Sequence, residues 1–202
     1  MSRFLITRRI GIDAGHRIML HGSKCRHLHG HRYEVEVTCR AAQLQGSGEQ
    51  SGMVLDFGFL KEEMMAVIDA PCDHGFIAQM DDVDLLGMFA PSGRDAGPWI
   101  DALRAEVARQ GFATTTDCCL GTKLYVLATP PTAEELAAHW FGRLAERVSE
   151  RSNGCAELAT LRVWETPNCW AEYSAPPQDS APDAPGRRGS PSRVAGADSA
   201  SD

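Results

Sequence analysis

Apolar and polar residues alternate through most of the first forty positions. From Phe4 to His16, residues Ile6, Ile10, Ile12, Ala14 and His16 share one parity with Arg8 as the exception, while Thr7, Arg9, Gly11 and Asp13 take the other. Side chains of an extended chain point alternately to opposite faces, so this pattern predicts a half-buried strand ending on His16. The run Arg32–Thr38 repeats it, with Tyr33, Val35 and Val37 opposed to Arg32, Glu34, Glu36 and Thr38, and the apolar parity extends back to His29 and His31. The two strands are expected to pair as an antiparallel hairpin across residues 21–26, which brings His16 within reach of His29 and His31.

The period then lengthens. Residues 43–52 are rich in Gly, Ser and Gln and read as an exposed connection. Met53-Val54-Leu55 is expected to be a short buried strand stopping at Asp56. Asp56 suits the N-cap of a helix in which Phe57, Leu60, Met64, Val67 and Ile68 recur at helical spacing, ending before Pro71. Thr122–Thr129 returns to strand alternation. Thr132, with Glu135 three residues later, opens a second helix as a capping box, and Leu136, Trp140, Leu144 and Val148 form its buried stripe. Leu158–Glu165 is expected to be the last strand, with Glu165 on the same face as Leu161 and Val163. Between the two helices, Met80–Lys123 loses clear periodicity except for a helix-like patch over Trp99–Gln110, and reads as an elaborated excursion without a core of its own. Residues 175–202 hold five prolines and Val194 as their only large aliphatic side chain. That composition cannot offset the entropy of ordering, so a disordered tail is expected there.

Composition narrows the class. At 202 residues, 43% hydrophobic and 23% charged, the chain suits one well-buried domain with a tail. A net charge of -7 argues against a nucleic-acid-binding surface. No apolar stretch approaches the ~20 residues that span a bilayer, and Met1–Ile18 lacks the apolar core of a signal peptide. The seven cysteines are odd in number and show no paired spacing, which fits free thiols in a reducing cytoplasm.

The candidate chemistry sits ahead of the second strand, in Lys24-Cys25-Arg26-His27-Leu28-His29-Gly30-His31. A His-x-His pair on one strand face can present two imidazole nitrogens to one ion, and with His16 it completes a three-histidine zinc site with a position left open. The ordinary alternative for each histidine alone is a hydrogen-bonded core residue. Gly30 lets the backbone pack closely between the pair. Cys25 is either a fourth ligand that closes the site or a reactive thiol beside it, and spacing does not decide. Asp73-His74 is a weak signal by itself, because such pairs are common in surface loops; it gains weight as a proton acceptor near the other candidates. A carboxylate at Glu165 on an apolar face needs a donor, either internal or the paired N–H groups of a ligand such as a pterin or guanine edge.

Six segments occur together in a known order: Asp13-Ala14-Gly15-His16-Arg17, Cys25-x3-His29-Gly30-His31, Met53-Val54-Leu55-Asp56-Phe57, Asp73-His74, Pro131-Thr132-Ala133-Glu134 and Trp164-Glu165-Thr166. In this the chain resembles the 6-pyruvoyl-tetrahydropterin synthase and 6-carboxy-tetrahydropterin synthase family from about Phe4 to Tyr173. The resemblance implies an α+β tunnelling fold over residues 1–174, a four-stranded antiparallel sheet with two helices on one face, with residues 80–123 an elongated insertion. It implies a homo-oligomer, a hexamer built as a dimer of trimers, with sites at subunit interfaces. It implies Zn2+ on His16, His29 and His31, catalysis by Cys25 with Asp73 and His74 as its relay, and pterin contacts from Glu165, Thr132 and Thr166.

The Cys-x3-His-x-His spacing resembles the bacterial carboxy branch of the queuosine and deazapurine pathway. The implied reaction converts 7,8-dihydroneopterin triphosphate to 6-carboxy-5,6,7,8-tetrahydropterin, releasing acetaldehyde and triphosphate. The pyruvoyl branch, which only eliminates triphosphate, and a zinc-stabilised non-catalytic pterin-binding module are the alternatives. His27 inside the motif departs from the family pattern. For the triphosphate, Lys24, Arg26, Arg17 and Lys123 are candidates, against the ordinary alternative of solvated surface charges.

Overall fold

A computed structural model describes residues 3–174, so the tail expected from residue 175 lies outside the described residues. Strands β1 (Phe4–His16) and β2 (His29–Ala41) pair antiparallel along their whole length, Phe4 opposite Ala41 and His16 opposite His29. Burial follows the parity: Ile12, Tyr33, Val35 and Val37 are fully buried. The other face stays wet, and there Arg9 donates to Glu34 (2.8 Å) and Glu36 (2.6 Å) across the hairpin. Such exposed pairs add little stability each.

Helix α1 (Phe57–Met64) starts where the cap predicts, the Asp56 carboxylate accepting from the backbone of Gly58 (2.6 Å) and Phe59 (3.2 Å). It does not stop before Pro71. The chain continues through a wider π-turn at Met65–Asp69 into α2 (Ala70–Cys72), with Pro71 in its first turn. Inside a continuous helical run Pro71 has no N–H for the Val67 carbonyl four residues before it; the turn is widened there, and that oxygen accepts from Arg143 (3.1 Å). Met53–Leu55 is a bend and not the expected strand. Its backbone pairs with the preceding loop, Gln45 N–H donating to Met53 O (2.9 Å), yet Val54 and Leu55 are buried as expected.

Residues 75–127 correct the rest of the expectation. Strand β3 (Gly75–Gln79) is followed by α3 (Val83–Phe89), α4 (Ala96–Gln110), β4 (Phe112–Thr115) and β5 (Lys123–Leu127). After α5 (Ala133–Arg151) come β6 (Glu157–Thr166) and β7 (Cys169–Ser174), so Leu158–Glu165 is not the last strand. The α+β class holds. The sheet, however, is mixed and seven-stranded, in the order β4-β5-β3-β1-β2-β6-β7, with β3 parallel to both β1 and β5.

Alternate residues of the inserted strands face different cores. Ile77, Tyr125 and Leu127 join α1 and α5 in the main one, whereas Ala78, Leu124 and Val126 pack with Leu86, Leu103 and Val107 of α3 and α4 in a second. The segment 80–123 thus has a core of its own, contrary to the sequence expectation. It covers the sheet face opposite α1 and α5, which is why strands there are apolar on both sides.

Candidate metal centre and adjoining cavity

The antiparallel register sets His16 directly across from His29, and strand alternation puts His31 on the same face, two residues on. Ligand nitrogens of the three imidazoles lie within 4.8 Å of one another. Gly30 is what permits this: a Cβ there would stand 2.9 Å from the Ala14 carbonyl oxygen, so any side chain would push the two strands apart between the histidines.

Hydrogen bonds preset the rings. His16 Nδ1 pairs with the Pro131 carbonyl (2.8 Å) and His29 Nδ1 with that of His27 (2.8 Å). A carbonyl only accepts, so each Nδ1 carries the proton and each Nε2 keeps its lone pair, the usual arrangement of metal-binding histidines. His16 Nε2 is buried with no hydrogen-bond partner. Burial holds His16 down at about 4 despite the Pro131 carbonyl, and burial also lowers His31 while the Glu165 charge opposes it. A buried His16 Nε2 without a partner, with nitrogens of His29 and His31 within 4.8 Å, fits a divalent cation of borderline softness.

A cavity of about 240 Å³ opens beside the cluster and is lined by His16, Cys25, Thr132, Glu165, Cys169 and Trp170 among others. Cys25 lies in a 3-10 turn, Lys24–Arg26, whose carbonyl at Cys25 accepts from Ile18 N–H (2.8 Å). It is not one of the clustered ligands, which favours the thiol off the metal. Glu165 falls at the irregularity where β6–β7 pairing skips from Trp164 to Thr166, which turns its half-buried carboxylate toward the cavity. Thr132 caps α5, its Oγ1 accepting from Glu135 N–H (3.3 Å). Its own N–H goes to Pro130 O, so the reciprocal half of the capping box is not made.

Two predicted groups lie elsewhere. Thr166 adjoins a separate cleft with Arg9, Arg32 and Glu34, residues of the wet sheet face. Asp73 and His74 stand at the start of β3 and do not line the Cys25 cavity. They form a tight pair: His74 Nδ1 to Asp73 Oδ2 is 2.7 Å, Asp13 N–H donates to Asp73 Oδ1 (2.8 Å), and His74 N–H returns to Asp13 O (2.8 Å). Partial burial would raise the Asp73 carboxyl, but the Asp13 N–H, His74 and Lys123 together bring it below its usual value. The His74 side chain is 77% exposed.

Tyr33 was legible only as a core residue. Its ring packs edge-on against His16 and His31, and its hydroxyl is buried without a partner, held protonated by burial and by the Glu165 and Cys25 charges. Of the four basic candidates for triphosphate, two are spoken for. Arg17 forks onto Asp82 (2.6 Å from Nε), and Lys123 donates to backbone carbonyls.

A mixed sheet with a three-histidine cluster at its central hairpin and an adjoining thiol defines an α+β scaffold that could hold a metal ion beside a cavity. The family profile for 6-pyruvoyl tetrahydropterin synthase matches residues 5–176, and the chain belongs to that family. It is an enzyme of tetrahydropterin synthase type. The chain is 33% identical over 166 residues to the 6-carboxy-5,6,7,8-tetrahydropterin synthase of Rickettsia conorii, covering 82% of this chain and 96% of the relative. It is 28% identical over 170 residues to that of Haemophilus influenzae, covering 84% and 98%. An uncharacterised protein from Wolinella succinogenes shares the fold at a TM-score of 0.61 and 21% identity, over 86% of this chain and 99% of that one. So does Plasmodium vivax 6-pyruvoyltetrahydropterin synthase, at 0.52 and 18%, over 86% and 98%. Among the described residues no helix is long and apolar enough to cross a membrane.

Proposed function

We propose that the protein is a cytoplasmic, zinc-dependent lyase that converts 7,8-dihydroneopterin triphosphate and water to 6-carboxy-5,6,7,8-tetrahydropterin, acetaldehyde and triphosphate, in queuosine and deazapurine biosynthesis. The observation that carries this reading is the convergence of His16, His29 and His31 beside one cavity that also holds Cys25 and Glu165. The bacterial relatives named for this activity support it.

His16, His29 and His31 hold the ion, which when bound lowers the pKa of hydroxyls on the substrate side chain. Glu165 accepts two N–H groups from the 2-amino-4-oxo edge of the pterin, and Thr132 lies on the same wall. Thr166, which borders the separate cleft, supports this contact only through the strand it shares with Glu165. Cys25 takes and returns a proton at the side chain, with Lys24 and Arg26 next to it as the free basic groups for triphosphate. His74 is the second proton carrier, and Asp73 orients it. Because His74 is exposed and does not line its own chain's cavity, it serves the cavity of a neighbouring copy. A homo-hexamer, two stacked trimers, supplies that neighbour and covers the edge strands β4 and β7.

The test is product analysis of the zinc-loaded protein with 7,8-dihydroneopterin triphosphate. Stoichiometric acetaldehyde and a carboxylated tetrahydropterin are expected. A pterin that retains all its side-chain carbons would assign the pyruvoyl reaction instead, and no turnover with full zinc would leave a pterin-binding module.

A further inference from the structure

We propose that Lys123 is a positioning residue that holds the Asp73–His74 pair in its working geometry from the adjoining strand β5. The inference rests on the reading of that pair as part of the catalytic machinery.

His74 needs holding. Its backbone is left-handed, with φ 55, a conformation that glycine adopts freely and other residues uncommonly. Residues keep such conformations only where their surroundings over-determine them. On one side, the reciprocal bonds with Asp13 fix the pair to β1. On the other side stands Lys123. Its Nζ donates to the carbonyl of Asp73 (2.8 Å) and to that of Ala70 (3.0 Å), the oxygens left unpaired where α2 ends. A cation at a helix C-terminus is also electrostatically favoured.

The approach is close on every side. Gly75, next after His74, is in register with Lys123, and a Cβ on Gly75 would lie 3.0 Å from both the Cβ and the carbonyl oxygen of Lys123. The chain reversal from Asp73 to Gly75 is therefore clasped between β1 and β5. Strand β5 is in turn fixed by Leu124 and Val126 in the second core. The segment 80–123 thereby acquires a role that its sequence did not disclose: its core places one ammonium under the carbonyl that precedes His74. The same ammonium is among the charges that favour the ionised Asp73 carboxylate.

The experiment compares Lys123→Met and Lys123→Arg with wild type in the zinc-loaded protein. Readouts are kcat and KM for acetaldehyde release, zinc stoichiometry, and the ring carbon signals of His74 in histidine-labelled protein, assigned with His74→Gln. Lys123→Met is expected to lower kcat at least ~10-fold, the scale of small misplacements of a reacting group, with KM and zinc unchanged. It should also displace the His74 signals, and Lys123→Arg should restore both. Wild-type kcat with unmoved His74 signals in Lys123→Met overturns the inference. So does a loss that merely tracks zinc or folded fraction. If Lys123→Met fails to fold, Lys123→Gln is read by the same two measures. If wild type with full zinc makes no acetaldehyde, the functional reading fails, while the His74 signals still decide whether Lys123 positions the pair.

Discussion

Two sectors of one sheet bury themselves in different ways. Strands β1, β2, β6 and β7 form an antiparallel run with one face on the main core and one toward water, so β2 alternates buried and half-buried residues from Tyr33 to Ala41. Strands β3 and β5 lie parallel with helices on both faces, and Leu124, Tyr125, Val126 and Leu127 are all buried. The first sector carries the three histidines, and the second carries the groups that lock onto it. Placing chemistry on a half-wet hairpin exposes ligands to a substrate, while a sector buried on both sides gives a rigid anchor.

The sharpest separation of the two is a change that removes chemistry and leaves both cores intact. Cys25→Ala is expected to cut acetaldehyde release by ~10³-fold while zinc content and thermal midpoint stay at wild-type values. Steady-state assay with metal analysis checks it. Loss of zinc and folding together would instead make Cys25 a fourth ligand and the site structural.

The same contrast explains what could be read without coordinates. The β1–β2 hairpin and the stripe from Leu136 to Val148 were legible because each repeats a period set by one apolar face, and the Asp56 and Thr132 caps because a side-chain acceptor stands just ahead of such a stripe. In β5 the alternation of Leu124 and Val126 marks a strand, but Tyr125 and Leu127 between them are buried too, and the pattern is silent about its neighbours. Strand β3 reads as Gly-Phe-Ile-Ala-Gln, too short for any period, so the parallel pairing and the second core could not be foreseen. The meeting of His16, His29 and His31 was legible because all three lie within one hairpin. The place of Asp73 and His74, and Asp82 and Lys123 as partners, depend on long-range pairing that no local spacing encodes.

Asp82 tests how firmly the second sector grips the first. Its carboxylate is buried, accepts both arms of Arg17 next to His16, and also caps α3 through Leu85 N–H (3.2 Å). Asp82→Ala leaves a half-buried guanidinium unpaired and a helix uncapped, with an expected cost of about 3 kcal/mol in urea unfolding. If the sectors are independent, zinc affinity will not move; if Asp82 braces the strand end at His16, it will weaken as well.

A pH series sharpens the comparison where β5 meets α5. Tyr125 hydroxyl and His139 Nε2 lie 2.7 Å apart, and Arg143 donates to the same hydroxyl (2.8 Å). Burial, then the Arg143 charge, lowers His139 to about 4. An unfolded chain protonates this histidine near its ordinary value of about 6.5, so between there and 4 the unfolded state binds the extra proton. Stability is thus fully present above about 6.5 and falls as the pH drops toward 4. The expected loss from this group is roughly 2 kcal/mol after allowing for partial exposure. His139→Gln should flatten that part of the urea-midpoint profile in metal-free protein. An unchanged slope would mean that the network does not join β5 to the helix.

Gly15 and Gly30 face each other in β1 and β2 but guard different sectors. A Cβ on Gly30 meets backbone, the Ala14 carbonyl at 2.9 Å, whereas one on Gly15 meets the Phe76 ring at 2.6 Å, and Phe76 packs at a tilt against Phe89 beside the second core. Backbone cannot step aside, so Gly30→Ala is expected to part the strands between His29 and His31. That should cost about 1 kcal/mol of stability and weaken zinc by about 10-fold in chelator competition. Gly15→Ala displaces a side chain and should lower stability by about 1 kcal/mol at unchanged zinc affinity. Should the two substitutions affect zinc equally, the histidine geometry is set by the whole sheet and the division between sectors does not reach the metal.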